Sequence, residues 1–429
     1  MIGAVAPIAA LLLSVFILFL GNGLQGTVLP IRGYSEAFTS LQLGILGAVY
    51  YAGFTIGCIV CPMAIKRAGH IRAFAVFTTI ASTSAILHAM VLHPFAWFFF
   101  RGLTGLCFAG IFMVIESWLN DKGTNENRGQ LLSIYQIVQL SALTGGQLLL
   151  NLANPDGFEL FAVVTVLISL AIVPVSLTTA SAPPPVHQVR MRIRWLYTVS
   201  PVAVIGCLAV GLANGSFWAL APVFAQRSLL SVSEIAYFMG AAIVGGAIMQ
   251  WPLGHISDRV DRRLVAVGAA AAAAFAGLAM GILGGKSEIW LLALSACFGA
   301  FAFPLYALCI AHANDVVEPQ DRIDVSSGLL LVFGVGAVIG PFAASAVMAL
   351  ASHRALFLYT AAVHALTAVF ALYRMRQRQA LPPEERTDFV AVPPSSPTVF
   401  EIDPRTPDLA PDPADPHFDS QNPSPEHRP

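Results

Sequence analysis

Apolar residues in this chain fall into runs of about 20 positions, the length a helix needs to cross bilayer hydrocarbon, and short polar breaks separate them. Each run predicts a spanning helix. There are twelve: residues 6–31, 41–65, 73–92, 95–118, 129–152 and 158–178, then 197–220, 234–256, 264–284, 288–310, 325–350 and 354–373. Between the sixth and seventh, Pro183, Pro184 and Pro185 lead into Arg190, Arg192 and Arg194. The pattern divides the chain into a first bundle (1–180), a basic linker (181–196), a second bundle (197–378) and a Pro-rich tail (379–429). The tail's composition predicts disorder.

The halves repeat one another. Asn22, Gly23 and Pro30 recur 192 residues later as Asn214, Gly215 and Pro222, while Asn120, Asp121 and Arg128 recur 194 residues later as Asn314, Asp315 and Arg322. Duplication of a six-helix unit is the simplest account.

With 56% hydrophobic and only 11% charged residues, the composition departs from that of soluble domains, which are about 25% charged. Fifteen Lys and Arg flank the even-numbered spans on their C-terminal side and four lie in the other connections, which predicts a multi-pass membrane protein with both termini in the cytoplasm. The first run lacks a basic leader and a cleavage pattern, so it reads as a retained span. All six cysteines fall within apolar runs, where they act as small hydrophobes. Trp97 and Trp290, at span ends, read as interfacial anchors.

Charge concentrates between spans 8 and 9, in Gly254-His-Ile-Ser-Asp258-Arg259-Val-Asp261-Arg262-Arg263, which reads as a hinge loop. This spacing resembles the cytoplasmic loop signature of the major facilitator superfamily of transporters, with Asp261 where that family usually has glycine. Arg101-Gly-Leu-Thr-Gly105 is similar to the superfamily's fourth-span arginine motif. Glu116-Ser-Trp-Leu-Asn120-Asp121 and Gln250-Trp-Pro-Leu-Gly254 resemble the YcaD-like branch of bacterial permeases. The resemblance implies an all-α integral membrane fold, with twelve transmembrane helices in two pseudo-symmetric six-helix bundles (the major facilitator fold). It also implies that Arg101 serves proton coupling or holds an anionic group.

Polar groups inside spans mark the candidate cavity, because amides and charges in lipid must turn inward. These are Asn22, Gln25, Arg101, Gln136, Gln139, Asn214, Trp218 and Tyr306, with helix-to-helix bonding as the competing role. Glu116, near the cytoplasmic end of span 4, reads either as a brace for Arg67 or as a proton-carrying carboxylate. If each loop latches onto the opposite half, Lys66 faces Asp321 or Asp324 and Asp258 faces Arg128; otherwise these charges, with Arg259, Arg262 and Arg263, only set topology. Such latches would shut the cytoplasmic side in the outward-open state.

The expected function is secondary active transport of a small solute by alternating access, coupled to protons. An uncoupled facilitator, or a scaffold or sensor that keeps the fold, are the alternatives. The sequence has no nucleophile motif, metal-ligand cluster or phosphate loop, so it reads as no enzyme, with no cofactor, metal or nucleic-acid partner. A small-molecule substrate, the lipid bilayer and protons are the expected partners, and the chain is expected to act as a monomer.

Overall fold

A computed structural model describes residues 8–124, 126–177, 193–284, 287–377, 381–382 and 385–405. Among them there are helices and no strands. The first half consists of α1 (Ala9–Ser35), α2 (Ser40–Ala68), α3 (His70–Met90), α4 (Pro94–Lys122), α5 (Arg128–Leu148) and α6 (Glu159–Ser176). The second consists of α7 (Pro201–Arg227), α8 (Val232–Arg259), α9 (Arg262–Leu283), α10 (Glu288–Asn314), α11 (Arg322–Leu350) and α12 (Ala355–Met375). Residues 178–192, which include most of the 181–196 linker, lie outside the described residues.

Eleven helices among the described residues are long and apolar enough to cross a membrane. The twelfth, α5, has 21 residues but interrupts its apolar face with Gln130, Gln136, Gln139 and Gln147. It packs against α1 in its own half and α8 in the other, which turns Gln136, Gln139 and Gln147 into the protein, while Gln130 is exposed.

Packing repeats with the sequence. In the first half α2 lies on α4, α1 on α5 and α3 on α6; in the second α8 lies on α10, α7 on α11 and α9 on α12. The close approaches match residue for residue. A Cβ on Gly53 would sit 1.9 Å from the Gly102 carbonyl, and one on Gly245 would sit 2.1 Å from that of Ala296. Only glycine admits such helix contacts. The helix starts match too: Thr39 and Gln42 form a capping box on α2, as Ser231 and Glu234 do on α8.

The two ends of the bundle differ. At the end carrying Arg227 and Ser40, the halves touch directly. A Cβ on Gly44 of α2 would meet the Ser345 hydroxyl of α11 at 2.0 Å, and Ser233 donates to Asn151 at 2.7 Å. This end is sealed. At the opposite end, rich in Lys and Arg and called the basic end below, residues 385–405 lie between the halves.

Three expectations change. Residues 385–405 are packed rather than disordered, because Val392, Val399, Phe400 and Ile402 bury their side chains almost completely; residues 406–429 lie outside the described residues. The charged hinge loop shrinks to Val260 and Asp261, since α8 runs through Arg259 and Asp261 caps α9 by accepting the Arg263 amide. Trp97 is fully buried, its indole donating to the Val91 carbonyl at 2.9 Å, so it is a core residue and not an interfacial anchor; Trp290 is exposed.

Candidate functional site

A central cavity of about 270 Å³ lies between the halves, walled by α1, α2, α4 and α5 on one side and α7, α8, α10 and α11 on the other. Asn22, Arg101, Gln136, Gln139, Asn214, Trp218 and Tyr306 all line it. Gln25 does not. It is fully buried beside the cavity, and neither atom of its amide has a partner. Lone Gln25 thus turns into the helix packing.

Several lining groups keep free hydrogen-bonding capacity. The hydrogen bonds among the described residues use neither Gln136 nor Gln139, and the Asn214 carbonyl oxygen and the Tyr306 hydroxyl are buried without partners. Each such group costs roughly 1–3 kcal/mol when it is left unpaired. A ligand that satisfies them recovers part of that cost. Gln147 is different. It accepts from the Thr27 hydroxyl at 2.5 Å and donates to the Gly23 carbonyl at 3.1 Å, so it ties α5 to α1.

Arg101 supplies the cavity's fixed cation. Its guanidinium carbon stands 4.2 Å from the Tyr50 ring centroid, and one terminal nitrogen, Nη1, is buried without a hydrogen-bond partner. Arginine suits this position because its planar head stacks on an aromatic face while its edge stays able to donate. Tyr50, Tyr51, Thr27 and Gln250 line the cavity although the sequence reading does not place them there. The Tyr50-Tyr51 pair within a long apolar run was the available signal. Aromatic walls complete the site, with Trp218 stacked on Phe303 at 5.5 Å and Tyr306 edge-on to Phe333 at 5.2 Å.

Val392, Pro393, Pro394 and Ser395 form the floor of the cavity at the basic end. Below them lies Glu116, fully buried, whose carboxylate accepts from the Tyr135 hydroxyl at 3.2 Å, from Thr398 at 3.0 Å and from Ser396. Its partners are hydroxyls. Arg67 is exposed, so it is not braced by Glu116. Asn120 donates to Glu401 at 3.4 Å. Burial and the neighbouring Glu116 charge push the Glu401 carboxyl up to about 7, against the pull of Arg128.

The second half grips the same segment. Arg262, 2% exposed, donates to Asp258 at 2.9 Å, lies 3.5 Å from Asp315, and donates to the Thr387 carbonyl at 2.7 Å. Asp315 accepts the Thr387 amide and hydroxyl at 3.0 and 2.9 Å, and Asp258 accepts the Phe389 amide at 2.9 Å. Burial pushes the Asp315 carboxyl up despite Arg262. Four nearly fully buried apolar side chains add roughly 1.5–3 kcal/mol each to this docking.

The expected cross-half pairs do not form in this arrangement. Asp258 is held by Arg262 of its own half and by the tail, not by Arg128. Among the described residues Lys66 has no ion pair and is exposed, and Asp324 also lacks one. At this end residues 385–405 stand between the halves, bonded to Asp315 of one and Glu116 of the other. Arg259 is exposed, and Arg263 pairs with Asp261 at 2.9 Å.

Comparison with known proteins agrees with this architecture. A family model described as Major Facilitator Superfamily matches residues 11–280 and 203–402. Over 359 residues, 83% of this chain and 93% of the relative, the sequence is 27% identical to an uncharacterized MFS-type transporter of Enterobacter sp. (strain 638). Over the same shares of both chains it is 26% identical to the uncharacterized MFS-type transporter YcaD of Escherichia coli O17:K52:H18 (strain UMN026 / ExPEC). The fold is similar to the crystal structure of the nucleoside transporter NupG, with a TM-score of 0.71 and 12% identity over 86% of this chain and 99% of that one.

Proposed function

Because the chain belongs to the major facilitator superfamily, on the branch of YcaD-like MFS-type transporters, we propose that it moves a small polar solute across the bacterial inner membrane by alternating access, coupled to protons. The observation that carries this reading is the cavity itself. It lies on the boundary between the two halves, with direct helix contact between them at one end and residues 392–395 at the other. Rocking the halves about such a site exposes it to each side in turn.

The lining favours a solute bearing one anionic group and several neutral hydrogen-bonding groups. Arg101 offers the unpaired Nη1 donor, and Gln136, Gln139, Asn214 and Tyr306 offer neutral partners within aromatic walls. Glu116 is our candidate for the proton carrier, since its carboxylate is buried among hydroxyls that accommodate either protonation state. Both termini lie in the cytoplasm in this reading, so the basic end faces inward. The latches of Lys66 with Asp321 or Asp324 and of Asp258 with Arg128 belong to the opposite, outward-open state, after the tail has left.

The test is solute-evoked proton movement in proteoliposomes carrying a trapped pH dye, run against a metabolite panel. At least one solute should drive proton flux that Glu116→Gln abolishes while solute counterflow persists. Proton flux that survives Glu116→Gln overturns the coupling role. Absence of counterflow for every solute overturns transport.

A further inference from the structure

Among the described residues outside the helix bundle, 385–405 pack against both of its halves. Their contacts divide between the halves: Ser396, Thr398 and Glu401 bind Glu116 and Asn120 of α4, while Thr387 and Phe389 bind Asp315, Arg262 and Asp258. The 3-10 turn Pro397–Phe400 inserts between α4 and α11. We propose that this segment is the protein's own inner gate, a tethered stopper that closes the cavity at the basic end and holds the halves apart there, so that it must withdraw before the site opens or the bundle rocks.

Three observations lead to this. The segment forms the floor of the cavity, so the solute site and the docking site share a boundary at Val392 to Ser395. It is bonded to both halves at once and occupies the space the halves need in order to meet at this end; with it docked, the closed inner face cannot form. Finally, the receptor side is shaped for it. A Cβ on Gly254 would meet the Phe389 ring at 2.1 Å, and the polar groups of Asp258, Asp315 and Glu116 point to backbone amides and hydroxyls of the segment. Added charge at Ser396, rather than loss of its bond to Glu116, is what would undo docking, because a second negative charge there would face a buried carboxylate.

The test reads accessibility, so it is independent of any transported solute. With the six native cysteines replaced, Gln139→Cys reports labelling by a membrane-impermeant maleimide applied to one face of oriented vesicles. In the full chain, labelling from the basic face should be slow. Ending the chain after Gln377 should accelerate it at least ten-fold from that face and leave the other face unlabelled. Ser396→Asp in the full-length chain should give the same acceleration, and Ser396→Ala should stay within about two-fold of the parent. If the shortened chain fails to fold, Ser396→Asp and Phe400→Asp carry the comparison. Equal labelling of the full-length, Ser396→Asp and Phe400→Asp proteins overturns the gate.

Discussion

The ring of Phe389 fills the place that a side chain at position 254 would take: a Cβ built on Gly254 comes within 2.1 Å of it. The glycine of the charged motif therefore admits the C-terminal segment rather than a neighbouring helix. Gly254→Ala forces that ring outward, and Gly254→Leu excludes it. Tail docking should weaken in that order, read as rising maleimide labelling at Gln139→Cys from the basic face. Labelling unchanged by Gly254→Leu would show that Phe389 is dispensable for docking.

The pH dependence follows from Glu401, which lies outside the spans and is pushed from its ordinary 4.5 up to about 7 by burial and by Glu116, with Arg128 pulling the other way. A docked carboxyl with a raised pKa favours docking in its protonated form. That contribution is complete below about pH 4.5 and disappears as pH rises through 7. Cavity accessibility from the basic face should therefore rise between pH 5 and 7.5. Glu401→Gln should flatten the profile at its low-pH level, and a profile identical to that of the parent would assign the change to another group.

Helix contact through glycine sets a contrast in stability. At Gly53 a methyl group would lie 1.9 Å from the Gly102 carbonyl, whereas at Gly268 nothing stands within 4 Å. Gly53→Ala should destabilise by about 1–3 kcal/mol or more by forcing α2 from α4. Gly268→Ala should be neutral or stabilise by about 0.5–1 kcal/mol, as helix propensity dictates. Thermal unfolding in detergent separates the two, and similar midpoints would count against the close approach.

Arg101 stacks on Tyr50 at 4.2 Å. A desolvated contact of this kind contributes up to about 2 kcal/mol. Tyr50→Phe keeps the ring and should retain both stability and solute binding. Tyr50→Leu should lower the unfolding midpoint, and Arg101→Lys should fail to restore solute-induced thermal shifts, because an ammonium group lacks the planar stack. Full recovery with Lys would reduce Arg101 to a point charge.

Much of this architecture is written in local pattern. Apolar runs mark the spans, and the repeats at 192 and 194 residues appear in the structure as matching glycine contacts and matching capping boxes. Asn22, Gln136, Gln139 and Asn214 were legible because an amide within a span has to face something polar. Gln25 follows the same rule but turns into the packing, since the rule sets inwardness and not the destination. The gate was not legible. Val392, Val399, Phe400 and Ile402 are scattered among Pro and Ser without helix or strand period, and their complement comes from α4 and α11, far away in sequence. The same distance hid Glu116's partners: Ser396 is 280 residues from it.

A stopper joined covalently to the vessel it seals acts as a competitor that dilution never removes. Its local concentration at the mouth is on the order of millimolar whatever the protein concentration. Any solute that binds only after the mouth clears binds the intact protein more weakly, by the fraction of molecules with the mouth clear. Affinity screens on full-length and C-terminally trimmed protein should then differ by one common factor for every solute, and that factor measures the strength of self-docking.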